Sequence, residues 1–348
     1  MIKVLVVEDS PVVREFLVHI LSSDPGIRVV GTAHDGEEAI EAIARTRPDV
    51  ITMDVHMPKM NGLDATRRIM ETCPTPIVVV SGSTNPREVA TTFEATEAGA
   101  LAVLRRPAGL GHPDHEATAR ELVQTVKLMS EVKVVRRWPR ARRDQVARPA
   151  QARLDHAPGK VRIVALGAST GGPPVLHTIL SQLPEDFPAP VLVVQHMAAG
   201  FVRGFIEWLA QSSRLPVHLA AHGEQLLAGH VYVAPDELQM KVERGGKIAL
   251  TRDAPENGLR PAVSYLFRSV AEVYGSDAVA GMLSGMGRDG ADELKLLKDM
   301  GAATFAQDKD SSVVHGMPGE AIKLGAATFV LPPEKIAAVL SRLAKNGQ

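Results

Sequence analysis

Short runs of Val and Ile alternate with stretches of helical periodicity over residues 2–129. The runs are Lys3–Val7, Arg28–Val30, Val50–Met53, Ile77–Val80 and Leu101–Leu104. Being almost continuously apolar, they suit strands covered on both faces of a parallel sheet. Apolar positions recur at helical spacing over Val12–Leu21, Gly36–Ala44, Gly62–Met70, Arg87–Ala98 and His115–Leu128. Five βα repeats predict an open, doubly wound α/β sheet. The pattern stops near Val132 and resumes at Val161. Apolar runs then fall at Arg162–Leu166, Val191–Val194, Val217–Leu219, His230–Val233, Ala278–Leu283, Thr304–Ala306 and Thr328–Leu331. Gly245-Gly246, within Arg244–Leu250, marks a hairpin.

Between the two patterns, Lys133–Arg153 carries Arg136, Arg137, Arg140, Arg142, Arg143 and Arg148 against Asp144, and is interrupted by Pro139 and Pro149. This predicts a solvated linker and three segments: 1–130, a basic linker 131–158, and 159–348. A basic docking seam for nucleic acid is the alternative. Trp138 is the sole aromatic among the arginines, however, and one ring makes a poor stacking platform.

With 348 residues, 45% of them hydrophobic, the chain can build two cores. Aromatics supply only 4%, so those cores must rest on aliphatic side chains and Met. A formal net charge of -1 provides no strong field for nucleic acid or a membrane surface. Cys73 is the one cysteine, which rules out an internal disulfide and fits a cytoplasmic location. The apolar start Met1–Val7 runs straight into Glu8 and Asp9, unlike a signal peptide, and no run is long enough to span or insert in a membrane.

The chemistry clusters where apolar runs end. Glu8 and Asp9 close the first run and Asp54 follows the third, so parallel strands bring three carboxylates to one sheet edge. Such a pocket suits a hard divalent cation, Mg²⁺ above all, beside which Asp54 can accept a phosphoryl group. Ser81 and Arg106 follow the fourth and fifth runs as a hydroxyl donor and a fixed positive charge. Ordinary solvated strand-end acids are the plainer alternative. In the second half, Ser169 lies in Gly167-Ala168-Ser169-Thr170-Gly171-Gly172, directly after an apolar run. Small flanking residues permit a sharp strand-to-helix turn that exposes a hydroxyl, although a phosphate-binding turn would look similar. His196 and Asp289 each follow a further run. They suit a general base and the group that orients it, or a packed histidine and a cap for a helix over Gly290–Met300. The order Ser–His–Asp differs from the Ser–Asp–His of ordinary α/β-hydrolases.

Two resemblances sharpen this reading. Residues 1–125, with Met57-Pro58 and Asn61-Gly62 after Asp54, resemble the receiver domain of two-component response regulators. The resemblance implies a (βα)5 fold, Asp54 as phosphoacceptor, Glu8 and Asp9 as metal-site acids, and a histidine kinase as partner. Arg106 stands where that family has lysine, and Val103 where it has an aromatic switch residue. Residues 161–342 resemble the catalytic domain of the chemotaxis protein-glutamate methylesterase family. The matching pieces are Gly167–Gly172, Gln195-His196-Met197, Arg260-Pro261-Ala262-Val263, Gly285–Gly290, and Gln307 through Gly316-Met317-Pro318. This implies a doubly wound, mostly parallel α/β catalytic domain with Ser169 as nucleophile, His196 as base and Asp289 as its orienter. Thr170 and Met286 become candidate oxyanion donors. The implied substrates are glutamate methyl esters and selected glutamines on the cytoplasmic helices of chemoreceptors, hydrolysed without a cofactor. A non-enzymatic regulator, a DNA-binding regulator and a small-molecule esterase are the rival functions.

Overall fold

A computed structural model describes residues 1–134 and 161–346. The arginine-rich stretch falls almost wholly outside the described residues. The described residues belong to two compact units.

The first unit alternates strands β1 (Ile2–Val7), β2 (Ile27–Ala33), β3 (Val50–Met53), β4 (Ile77–Ser81) and β5 (Ala102–Arg105) with helices α1 (Pro11–Ser22), α2 (Gly36–Thr46), α3 (Gly62–Thr72), α4 (Pro86–Ala98) and α5 (His115–Ser130). The strands form one parallel sheet in the order β2-β1-β3-β4-β5. Strands β3 and β4 are buried throughout, as expected of a sheet covered on both faces. Asp35 and Asn61 accept N–H groups in the first turns of α2 and α3, which fixes where these helices begin.

The second unit contains β6 (Ile163–Ala168), α6 (Gly172–Gln182), β7 (Val191–Gln195), α7 (Val202–Ser212), β8 (Val217–Leu219), β9 (Val231–Val233), β10 (Gln239–Glu243), β11 (Lys247–Thr251), α8 (Val263–Tyr274), β12 (Ala278–Met282), α9 (Ala291–Asp299), β13 (Ala303–Gln307), α10 (Met317–Lys323), β14 (Phe329–Leu331) and α11 (Pro333–Asn346). Seven strands make a parallel sheet ordered β14-β13-β12-β6-β7-β9-β8. β10 and β11 pair antiparallel as a separate hairpin around Gly245-Gly246. The core beneath the central strands is aliphatic and Met-rich, with Leu266, Phe267 and Val270 of α8 packed on Ile163, Ala280 and Met282.

Both sheets reverse their winding beside their first strand. In the first, β2 and β3 flank β1; in the second, β7 and β12 flank β6. Helices leave such a pair of strands in opposite directions, and a crevice opens at the strands' carboxyl ends. Glu8, Asp9 and Asp54 follow β1 and β3. Ser169 follows β6, His196 follows β7, and Asp289 lies in the loop after β12.

Candidate active sites

The turn after β6 is built around Ser169. Its N–H donates to the Ser284 carbonyl (2.9 Å), and its own carbonyl accepts the Gly172 N–H (2.8 Å), closing a sharp strand-to-helix turn. Gly171 adopts φ +76°, and a Cβ there would lie 2.6 Å from Val313 Cβ and 2.7 Å from Ser284 Oγ. Only glycine meets both demands at no cost. α6 then starts at Gly172 with proline in its first turn, so the half-buried Ser169 sits beside a helix N-terminus.

His196 is joined to this turn through its N–H, which donates to the Ala168 carbonyl (2.9 Å). Its Nε2 stands 3.0 Å from Asp289 Oδ2, an ion-pair distance once the imidazole is protonated. Asp289 is buried. Its Oδ2 also accepts the Val263 N–H (2.6 Å) and its Oδ1 the Ser264 N–H (3.2 Å). The carboxylate thus satisfies the first N–H groups of α8, while α9 follows Gly290 with no side-chain cap. A capping role does exist for Asp289, on a different helix from the one its sequence position suggested. Burial alone would raise the Asp289 pKa. The imidazole, the Ser264 side chain and the Val263 N–H outweigh it and hold the carboxyl below its usual range. Among the described residues, no hydrogen bond joins the Ser169 hydroxyl to His196; such contacts commonly tighten only when substrate binds.

The loop Gly285–Gly290 presses on Ser169: a Cβ on Gly285 would sit 2.7 Å from Ser169 Cβ. It is pinned from the other side. Gly285 N–H donates to the Val314 carbonyl (3.0 Å), and Met317 N–H donates to the Gly285 carbonyl (2.8 Å). Thr170 and Met286 flank Ser169 and Gly285 in sequence. Their backbone N–H groups donate to no acceptor among the described residues.

Three buried polar residues at strand ends brace these loops. Ser284 Oγ donates to the Thr170 carbonyl (2.8 Å) and accepts the Val314 N–H (3.0 Å). Gln307 Oε1 accepts the Ser284 N–H (2.8 Å). Gln195 reaches from β7 to Ser169. In the sequence Gln195 and Gln307 stand only as motif letters, and Ser284 only as the residue after an apolar run. The readable signal is a polar residue at or just past the end of a mostly apolar strand.

In the first unit, Glu8, Asp9 and Asp54 offer carboxylate oxygens within 4.8 Å of one another. Arg106 Nη2 lies 3.4 Å from Glu8 Oε2. Ser81 is buried, and the depression of about 770 Å³ that holds all five residues is also lined by Ser10, His56, Gly82, Ser83 and Glu88. The last five had no role in the sequence reading. Burial, then the Asp54 charge, pushes Glu8 up to about 7, although Arg106 opposes the shift. Burial also raises Asp54, against Arg106 and the N–H groups of Val55 and His56. Crowded, partly desolvated carboxyl groups of this kind fit a hard divalent cation, which would relieve their mutual repulsion.

A hydrolase unit carried behind a receiver unit is the class this layout defines. Residues 4–112 match the response regulator receiver domain family, and residues 164–340 match the CheB methylesterase family. The chain belongs to the CheB methylesterase family. It is 67% identical over its whole length to the protein-glutamate methylesterase/protein-glutamine glutaminase of Nitrosospira multiformis, covering 99% of that protein. It is 59% identical, over 99% of each chain, to a protein of the same description, numbered 4, from Geobacter metallireducens. The crystal structure of the Thermotoga maritima CheB methylesterase catalytic domain aligns with a TM-score of 0.51 and 40% identity, covering 53% of this chain and 98% of that one.

Proposed function

We infer that this chain is a protein-glutamate methylesterase and protein-glutamine glutaminase governed by its receiver unit. The observation that carries the catalytic reading is the His196–Asp289 pair, 3.0 Å apart at the switch point that also holds Ser169. Ser169 attacks the γ-carbonyl of a glutamate methyl ester. His196 takes the hydroxyl proton and returns it to the departing methanol; with glutamine the leaving group is ammonia. Water then releases glutamate from the acyl-enzyme by the same proton path. The unengaged N–H groups of Thr170 and Met286 suit the developing oxyanion, which the N-terminus of α6 also favours. Asp289 holds the imidazole and offsets its positive charge.

In the receiver unit, Asp54 is the phosphoacceptor and Glu8, Asp9 and Asp54 would hold Mg²⁺. That ion, when bound, neutralises the carboxylates and the phosphoryl oxygens. Ser81 donates to the phosphoryl group, and Arg106 supplies a fixed charge through a planar fork rather than a point ammonium. The domain limits are 1–130, 131–158 and 159–348. A chemotaxis-type histidine kinase supplies the phosphoryl group, chemoreceptor cytoplasmic helices carry the substrate, and the protein acts in the cytoplasm. No described helix is long and apolar enough to cross a membrane.

The deciding experiment measures methanol release from methylated cognate receptor, with and without a phosphodonor. Turnover that disappears in Ser169→Ala and rises with phosphodonor supports the reading. Full activity in Ser169→Ala, or turnover only of small-molecule esters, overturns it.

A further inference from the structure

Gln195, at the end of β7, is a buried amide that the reaction above does not use. It is 5% exposed. Nε2 donates to the carbonyl of Ser169 (2.9 Å) and to the carbonyl of His196 (2.8 Å). Both amide hydrogens are therefore committed, one to the residue bearing the hydroxyl and the other to the residue bearing the imidazole. The orientation follows from chemistry, because a flipped amide would aim its oxygen at two carbonyl oxygens. Oε1 is left buried and without a partner among the described residues. It lies so close to the start of α6 that a Cβ on Gly172 would sit 2.4 Å from it.

An orphaned buried oxygen needs a physical reason. An apolar side chain of the same length would fill this space without one. What the amide adds is the pair of N–H bonds, and these join the nucleophile's residue to the base's residue directly. The neighbouring backbone link, His196 N–H to the Ala168 carbonyl, stops one residue short of Ser169.

We propose that Gln195 is a positioning residue for hydrolysis: its amide is a strut that sets the separation between the Ser169 hydroxyl and the His196 imidazole. The proposal rests on the reading of Ser169 and His196 as nucleophile and base. Losing the strut lets the strand-to-helix turn and the end of β7 drift independently, which weakens proton transfer more than substrate binding.

Two variants of the full-length chain test it. Gln195→Met keeps the length and removes both donors. Gln195→Glu keeps the shape and regains one donor only when its carboxyl is protonated. For each, kcat and KM for methanol release from methylated receptor are measured from pH 6 to 9, with phosphoryl uptake at Asp54 and the thermal midpoint as checks on folding. A misplacement on the scale of an ångström costs about 100-fold in rate, so Gln195→Met should lose about 10- to 100-fold in kcat with KM changed less than about 3-fold. The kcat deficit of Gln195→Glu relative to the unsubstituted chain should shrink as pH falls. Unchanged kcat in Gln195→Met overturns the strut. If Gln195→Met does not fold, a Gln195→Glu deficit that is absent or independent of pH overturns it. Ser169→Ala, assayed alongside, separates the two levels: its retained activity would remove the underlying catalytic reading, whereas an inactive Ser169→Ala beside a fully active Gln195→Met removes only the strut.

Discussion

His196 turns Nε2, not Nδ1, toward Asp289, with 3.0 Å between Nε2 and Oδ2. On the reading of His196 as the base, Nδ1 is the nitrogen left to face the Ser169 hydroxyl. That reading requires the tautomer with its proton on Nε2, beside a carboxylate that would stabilise the imidazolium as it forms.

Asp289→Asn should disturb both tasks of this side chain. An amide cannot stabilise the imidazolium and favours the wrong tautomer, so kcat should drop by about 10³- to 10⁴-fold. Its one oxygen can no longer serve both the Val263 and the Ser264 N–H groups. Leaving one of these buried donors unpaired should cost about 1–3 kcal/mol in urea unfolding. Wild-type stability in this variant would mean that the α8 contact contributes nothing.

The same carboxylate gives an acid-side signature. Its pKa is lower in the folded protein than in the unfolded chain, so its contribution to stability is present above the usual carboxylate range. That contribution is lost as pH falls through the lower, folded-state value. Unfolding midpoints measured from pH 5 downward should fall less steeply for Asp289→Asn than for the unsubstituted chain. Equal slopes would contradict the shift.

Glu8 predicts the opposite sign. Folding raises its pKa from 4.5 to about 7, so the folded protein keeps a proton that the unfolded chain releases across that window. Its contribution to stability is full below the window, declines through it and stays lost above pH 7. Glu8→Gln should accordingly stabilise the protein at pH 8 by about 1–3 kcal/mol without Mg²⁺. Added Mg²⁺ should raise the thermal midpoint of the unsubstituted chain at pH 8, and raise that of Glu8→Gln less. A Mg²⁺ response equal in both would exclude Glu8 from the metal site.

Asp54→Asn should abolish the hydroxylamine-labile phosphoryl label. It should also remove the rise in methanol release on adding phosphodonor, while leaving basal turnover in place. Persistence of the label would place the acceptor elsewhere.

Gly171→Ala should damage the site by shape alone. The methyl group would collide with Val313 and Ser284 Oγ from a left-handed backbone position. A cost of about 1–3 kcal/mol for the strained conformation is expected, together with a fall in kcat as the Ser169 turn shifts. Unchanged kinetics and unfolding would show that the turn adapts.

Much of this molecule was legible in one dimension. Runs such as Val50–Met53 and Val191–Val194 mark buried parallel strands because an apolar run covered on both faces has few other uses. Strand-end placement of Asp54, Ser169 and His196 could be read because chemistry in a doubly wound sheet gathers at the strands' carboxyl ends. Glycine-rich motifs likewise announced the turns at Gly171 and Gly285. Tertiary structure alone decided the rest. Which imidazole nitrogen faces Asp289, and which helix Asp289 caps, depend on how α8 packs beside the loop after β12, a contact between residues 25 and 26 positions apart. The work of Gln195, Ser284 and Gln307 was hidden for the same reason. A buried polar side chain takes its meaning from the partner it finds, and that partner is fixed only when distant strands come into register.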